Sequence, residues 1–356
     1  MFVPAHTIWL LSDSDVKARL SITRDFVKST HVESIGFEVL QREQSLLESR
    51  IKTQVTRALR IKRELSSLGV KTSLSVHTPF TPIGRFCLAS ERSEIRRRGI
   101  EAVKTCVGLA EHIGAQVVNT HPGGIVKITN RNFSDPAVKR LALANLKESL
   151  AELVDWMEGR SVMLAVENIP YPLEELFQGY SPLVGIFPED FVEIFRDIDS
   201  KALGLTVDFC HLWITFKTLR GFRAMKKRNS SGRGTNVSGY LGLTSYESEA
   251  IKSFAGDPFE AFMNRLNEKV VHVHAADSDG VFVPGKSMVS EGIALGEGDL
   301  DLNSFARALR EIERTRKQVE PVMIVLEPKE LDFGNPLNSS KSLLRLEELL
   351  RNKVVV

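Results

Sequence analysis

With three cysteines in 356 residues, Cys87, Cys106 and Cys210, the chain has little material for a disulfide framework. Their number is odd and no two form a CxxC pair, which fits folding in a reducing cytoplasm. No stretch approaches the ~20 apolar residues that a membrane helix requires, so no membrane partner is expected. The opening MFVPAHTIWLLSDSD has no basic region ahead of its short apolar run, and is expected to form a first strand rather than a signal peptide. One-sided charge is also lacking. A formal net charge of +2 gives no global reason to expect nucleic acid or an anionic membrane. The Gly-rich LGEGDLD, residues 295–301, matches neither a Walker loop nor a dinucleotide fingerprint. Its amides could meet a phosphate or hydroxyl near a helix start, or form an ordinary turn and cap.

What is present is enough for a sizeable core, with 42% hydrophobic and 26% charged residues. Short apolar, β-rich runs at 8–11, 34–40, 72–77, 116–121, 162–167, 203–208, 270–274 and 322–327 alternate with longer amphipathic stretches such as 98–113 and 136–157. Strand followed by helix, repeated along one chain, predicts a parallel sheet covered by helices. Eight repeats over this length predict one closed (β/α)8 TIM barrel spanning 1–356. The acidic run Asp299–Asp301 favours a helix start before 304–314. Leucines 343, 344, 346, 349 and 350 predict a final helix packed on the barrel. Residues 212–256 are too long for a typical βα connection and are expected to be an insertion in the loop after strand 6. Within its FKTLRGFRAMKKRNSSGRG, residues 216–234, lie Lys217, Arg220, Arg223, Lys226, Lys227, Arg228 and Arg233 with no acid among them. A solvated charged loop and a phosphate-binding element on the active-site face are both open readings.

The strand candidates end in SVHTPF, VVNTHPGG, LAVENIP, LTVDFCH, VVHVHAAD and MIVLEPKE. Each run stops on a histidine or carboxylate, groups too costly for an apolar strand interior and therefore expected at the tip. All carboxyl ends of a parallel barrel share one rim, so His77, His121, Glu167, Asp208, His274 and Glu327 should converge although far apart in sequence. Imidazoles and carboxylates together are the ligands of zinc, manganese or cobalt. Without a cation, carboxylates this close would repel. Two ions sharing Glu167 would use all six residues. A single ion on Glu167, Asp208, His274 and Glu327 would leave His77 and His121 for substrate. His272 points the same way as His274 one layer deeper, either orienting a ligand or packed in the core. His211 follows Asp208 by one turn and could reach substrate or metal. Gly123 and Gly124 would let backbone approach a ligand, or only make a turn. His6, His31 and His112 have no such setting.

In order and spacing, HTPF, NTHPGG, VENIP, VDFCH, HVHAAD, LGEGD and LEPKE resemble the xylose isomerase-like barrel superfamily, which includes sugar isomerases, sugar epimerases and endonuclease IV. Similarity to the epimerases implies a single-metal core at Glu167, Asp208, His274 and Glu327. Glu167 and Glu327 would then be acid and base on opposite faces of a substrate carbon. It also implies a small sugar or sugar-phosphate substrate. Glu38, in IGFEVL, would contact sugar hydroxyls or pair with a structural basic residue. Phe80, His211 and Lys329 are the other expected substrate-binding residues. Similarity to endonuclease IV carries its metal set onto His77, His121, Glu167, Asp208, His211, His274 and Glu327, and makes nucleic acid a partner through the basic insertion. The departure is specific: where that family has an Asp-x-His pair before LGEG, this chain reads GKSMVSEGIALGEG.

Overall fold

Eight parallel strands, each hydrogen-bonded to its neighbours in chain order, close on themselves in a computed structural model of the chain. Residues 2–80, 85–123, 136–170, 184–229, 256–279, 291–316, 321–332 and 334–351 are described. The strands are β1 (Phe2–Ile8), β2 (Ser34–Leu40), β3 (Lys71–His77), β4 (Val117–Thr120), β5 (Met163–Glu167), β6 (Leu203–Asp208), β7 (Val270–Ala275) and β8 (Val322–Leu326). Pairing of Ala5 with Val325 and His6 with Leu326 closes the ring between first and last strands. The helices are α1 (Asp13–Thr30), α2 (Glu48–Ser66), α3 (Ser93–Ile113), α4 (Pro136–Trp156), α5 (Pro188–Asp197), α6 (Phe209–Asn229), α7 (Pro258–Leu266), α8 (Leu302–Thr315) and α9 (Leu337–Arg351). This is the predicted (β/α)8 barrel. No helix among the described residues is long and apolar enough to cross a membrane. The three cysteines are buried, and none is in a disulfide.

Three elements depart from the sequence-based expectation. The first strand occupies Phe2–Ile8 rather than 8–11, because the rule that strands are apolar fails there. His6 is buried in β1, 2.9 Å from the Thr23 hydroxyl of α1, so a polar side chain is satisfied inside the fold. The expected insertion begins as regular helix: α6 follows β6 directly and runs to Asn229. Residues 230–255, including Arg233, lie outside those described, as do the side chains of Arg223, Lys226, Lys227 and Arg228. Within α6, Lys217 forms an ion pair with Asp299, and Trp213 Nε1 donates to the same carboxylate at 2.7 Å. The acid missing from the local sequence therefore comes from LGEGD. In α9, Leu343 and Leu346 are buried while Leu344 is exposed, so the apolar stripe is narrower than five leucines suggest.

LGEGD itself is organised by Asp277, the last residue of HVHAAD. Its Oδ1 accepts from the Ser278 and Leu300 amides at 2.8 and 2.9 Å, and its Oδ2 from Gly296 at 2.8 Å. A Cβ at Gly298 would stand 2.4 Å from Asp277 Oδ1, so only glycine admits this approach. The segment is thus a turn leading to α8, whose N-cap Asp301 accepts from Asn303 and Ser304 amides at 3.0 and 3.1 Å. Removing one buried acceptor from three donors leaves each to bear a desolvation cost of about 1–3 kcal/mol. Asp277→Ala should accordingly lower stability by roughly 3–5 kcal/mol, read as a lower urea midpoint at unchanged m-value. A loss below ~1 kcal/mol would contradict this role.

Candidate metal centre

The six strand-tip residues gather at the carboxyl rim. Asp208 pairs in register with His274 across β6 and β7, and Glu327 follows the end of β8. One ligand atom each from Glu167, Asp208, His274 and Glu327 lies within 4.8 Å of the others. His274 Nδ1 is 3.4 Å from Glu167 Oε1 and 3.1 Å from Glu327 Oε2. Glu167 occupies the middle. Its Oε1 faces His274 and His211 Nδ1, the latter at 3.4 Å. Its Oε2 faces His77 Nε2 at 3.5 Å and His121 Nε2 at 3.4 Å, and accepts from the Asn119 amide. Glu167, His274, Asp208 and His77 are almost fully buried, whereas the His121 and Glu327 side chains keep 24% and 27% of their surface at the mouth.

Local structure sets each side chain. Asp208 ends β6 and starts α6: its Oδ1 accepts the His211 amide at 2.8 Å, leaving Oδ2 toward the cluster. Asn168 ties β5 to β6, donating to the Asp208 carbonyl at 3.0 Å and accepting its amide at 2.8 Å. His77 Nδ1 donates to the Thr78 carbonyl at 2.7 Å, so its Nε2 lone pair faces Glu167 when the ring is neutral. Gly123, at φ +72°, brings its backbone so close that a Cβ would be 2.8 Å from Cys87 Cα. Its freedom serves packing of the NTHPGG turn. Gly124 lies outside the described residues.

The charges form a coupled network. Burial opposes charge on His77, but Glu167, Glu38 and Glu327 outweigh it and push the ring up to about 9. His211 rises to about 10 against burial, through Asp208, Glu291 and Glu167. His274 is raised well above the usual histidine range, burial being overcome by Glu327, Glu38 and Glu167. Asp208 is raised to about 7 by burial, with Glu167 and Glu327 adding to it against His211 and His274. Without a cation, protons hold the carboxylates together.

Among the described residues, two buried atoms that face each other in the cluster, His274 Nδ1 and Glu167 Oε1, make no hydrogen bond. Buried polar atoms are normally paired, and a divalent ion would satisfy both. Three carboxylates and an imidazole are a suitable donor set for zinc, manganese or cobalt. The residues present therefore fit the ion.

The expected substrate residues separate. Phe80 is 43% exposed at the mouth, its ring 5.3 Å from that of His77 and 5.0 Å from that of His121. His211 Nδ1 donates to the Asn168 carbonyl at 2.8 Å, and its Nε2 lies 3.2 Å from Glu291. Lys329 is largely exposed, with Nζ 4.0 Å from Glu291 Oε2. Glu38 corrects its expected role. It is fully buried beneath His274, out of reach of sugar hydroxyls, because residue 38 lies two positions below the tip of β2. His272 is buried one layer below His274, and burial lowers it to about 4, so it is neutral. Sequence reasoning missed Asn119, Asn168 and Glu291. For Glu291 a signal existed: it is the only carboxylate between Asp279 and Glu297.

Comparison with known proteins gives the same architecture. The profile described as xylose isomerase-like TIM barrel matches residues 30–321. An uncharacterized protein of Methanocaldococcus jannaschii is 25% identical over 245 residues, covering 68% of this chain and 61% of its own length. The chain thus spans under two thirds of that relative. A solved D-tagatose 3-epimerase-like protein is 22% identical at TM-score 0.60, covering 99% of this chain and 100% of its own. Endonuclease IV from Thermus thermophilus is 14% identical at TM-score 0.55, covering 98% of this chain and 99% of its own. At these identities the structural likeness shows the fold alone.

Proposed function

From a chain that belongs to the xylose isomerase-like TIM barrel family, we propose a metal-dependent isomerase or epimerase acting on a sugar or sugar phosphate by carboxylate-mediated proton transfer. The observation that carries this reading is the placement of Glu167 at the end of β5 and Glu327 just past the end of β8, flanking His274 Nδ1 at 3.4 and 3.1 Å. Glu167, Asp208, His274 and Glu327 would hold the ion, which when bound polarises a substrate carbonyl and the neighbouring hydroxyl.

The chain's own residues supply the proton chemistry. The two carboxyl groups come from strands separated by β6 and β7, so they approach the space between them from different sides. One takes the proton alpha to the carbonyl, and the other returns a proton to the opposite face. Glu167 is shielded from water, while Glu327 reaches the mouth and can re-equilibrate its proton with solvent. Phe80 offers an exposed ring face to the apolar side of a sugar. The test is incubation with divalent metal and a panel of aldoses, ketoses and their phosphates in deuterated water. One deuterium should enter at the carbon alpha to the carbonyl of the true substrate. No exchange across the panel would contradict the reading.

A second reading, a metal-dependent phosphodiesterase of the endonuclease IV type, is favoured by one observation. Glu167 Oε2 faces His77 and His121 while its Oε1 faces His274, the disposition of a carboxylate shared by two ions. Two ions per chain, salt-sensitive binding of abasic duplex and its incision would select this alternative. A single ion and no binding would reject it.

A further inference from the structure

Under the rim lies a second layer of polar side chains: Glu38 on β2, Ser75 on β3 and His272 on β7, each with no exposed surface. None belongs to the four-donor cluster. Glu38 Oε2 nevertheless lies 3.0 Å from His274 Nε2, the ring nitrogen on the far side from Glu167 and Glu327. Among the described residues neither atom has a hydrogen-bond partner, so their 3.0 Å approach is a charge contact rather than an aligned hydrogen bond. We infer that Glu38 is a positioning residue for the metal centre: it keeps the proton of His274 on Nε2, so that the Nδ1 lone pair is aimed at the ion. This deepens the metal-dependent reading above and rests on it.

The reason lies in imidazole chemistry. A neutral ring has one donor nitrogen and one acceptor, and the partner of one nitrogen fixes the role of the other. An ionised carboxylate has only acceptors, so the nitrogen facing it is the protonated one. A carboxylate behind a ligating histidine also raises its basicity and fixes its plane. Glu38 is itself held from below. Ser75, its register partner across β2 and β3, donates to Oε1 at 3.2 Å. His272 Nε2 is 3.1 Å from the Ser75 oxygen and 3.6 Å from Glu38 Oε1. Three strands thereby set one carboxylate, and that carboxylate sets one ligand. A buried carboxylate this far from solvent is costly unless it has partners, and Glu38 has Ser75, His272 and His274 around it. Glu38, His272 and His274 also have donor atoms within 4.8 Å of one another, the spacing of a possible ion of their own. The Ser75 hydroxyl already engages His272 Nε2, the nitrogen that lies 3.6 Å from Glu38 Oε1.

The experiment is a cobalt(II) titration against a competing chelator, on wild type, Glu38→Ala and Glu38→Gln, with bound cobalt counted at saturation. Glu38→Ala should lose about 10- to 100-fold in affinity with unchanged stoichiometry. Glu38→Gln, which keeps an acceptor oxygen and the side-chain shape, should recover most of that loss. In zinc-loaded wild-type protein carrying 15N-histidine, His274 should show a protonated Nε2 and a metal-bound Nδ1, a readout that needs no variant. Wild-type affinity in Glu38→Ala, equal losses in both variants, or Nε2 as the metal-bound nitrogen would overturn the inference. Loss of one whole equivalent of cobalt, with the remainder bound as before, would overturn it in favour of an ion among Glu38, His272 and His274. A wild-type protein that binds no cobalt would bring down the metal centre itself.

Discussion

Glu167→Gln is expected to lower turnover at least about a thousandfold while leaving the fold intact. The side chain keeps its volume, so packing around β5 is preserved. What changes is charge and acceptor count. Glu167 stands between His274 and His211 on one oxygen and His77 and His121 on the other, with the Asn119 amide donating to it. An amide at this position must turn an N–H either toward Asn119 or toward the ion, and both are donors where an acceptor is required. Loss of a general base alone lowers rates by about 10²–10⁴-fold, and a weakened metal site adds to that. The imidazoles around it can shed their protons, so no buried charge is stranded. Turnover and thermal midpoint measured together decide the matter. A variant retaining activity within tenfold of wild type would remove Glu167 from the chemistry.

The second large effect is on pH. Metal affinity should rise nearly tenfold per pH unit above about 6.5, because an ion entering at His274 displaces a proton held well above the usual histidine range. Use of His77, raised to about 9, would steepen that slope by a second proton. Below about 7 Asp208 adds another, since its carboxyl is raised to about 7. Stability of the metal-free protein follows with a definite sign. A histidine raised from 6.5 to about 9 contributes stability that is complete below 6.5 and is lost as pH climbs to about 9. Asp208, raised from 3.8 to about 7, acts in the same sense over its own range. Glu38, lowered to about 2, contributes above 4.5 and loses that contribution only in strong acid. The gap in melting temperature between metal-loaded and metal-free protein should therefore widen from pH 6.5 to 9. A gap that stays constant or narrows would contradict the charge network.

Much of this was legible in the amino-acid sequence. A buried parallel strand is a nearly continuous apolar run, and the residue that ends it marks the rim, so seven strands and six converging side chains could be located. β1 escaped because Pro4 and His6 interrupt its pattern, His6 being satisfied by Thr23 on another element. Sequence leaves Glu38 open between sugar hydroxyls and a structural basic partner, because depth along a strand cannot be judged without the register of its neighbours. Its pairing with Ser75, one layer below His77, settles that depth. The link between Asp277 and LGEGD joins residues about twenty apart through backbone amides, which leave no compositional trace. Asn119 and Asn168 act on neighbouring strands, so their partners appear only once the barrel has closed. In the same way, the acid that pairs with Lys217 of the basic segment lies beyond β7.

Elemental analysis of purified protein after loading with zinc, manganese or cobalt, beside Asp208→Ala and His274→Ala, is the most direct test of a shared cation. Wild type should retain about one or two ions per chain through gel filtration, and both variants should retain almost none while melting cooperatively. Wild-type protein free of metal after loading, or variants that keep as much as wild type, would contradict the account.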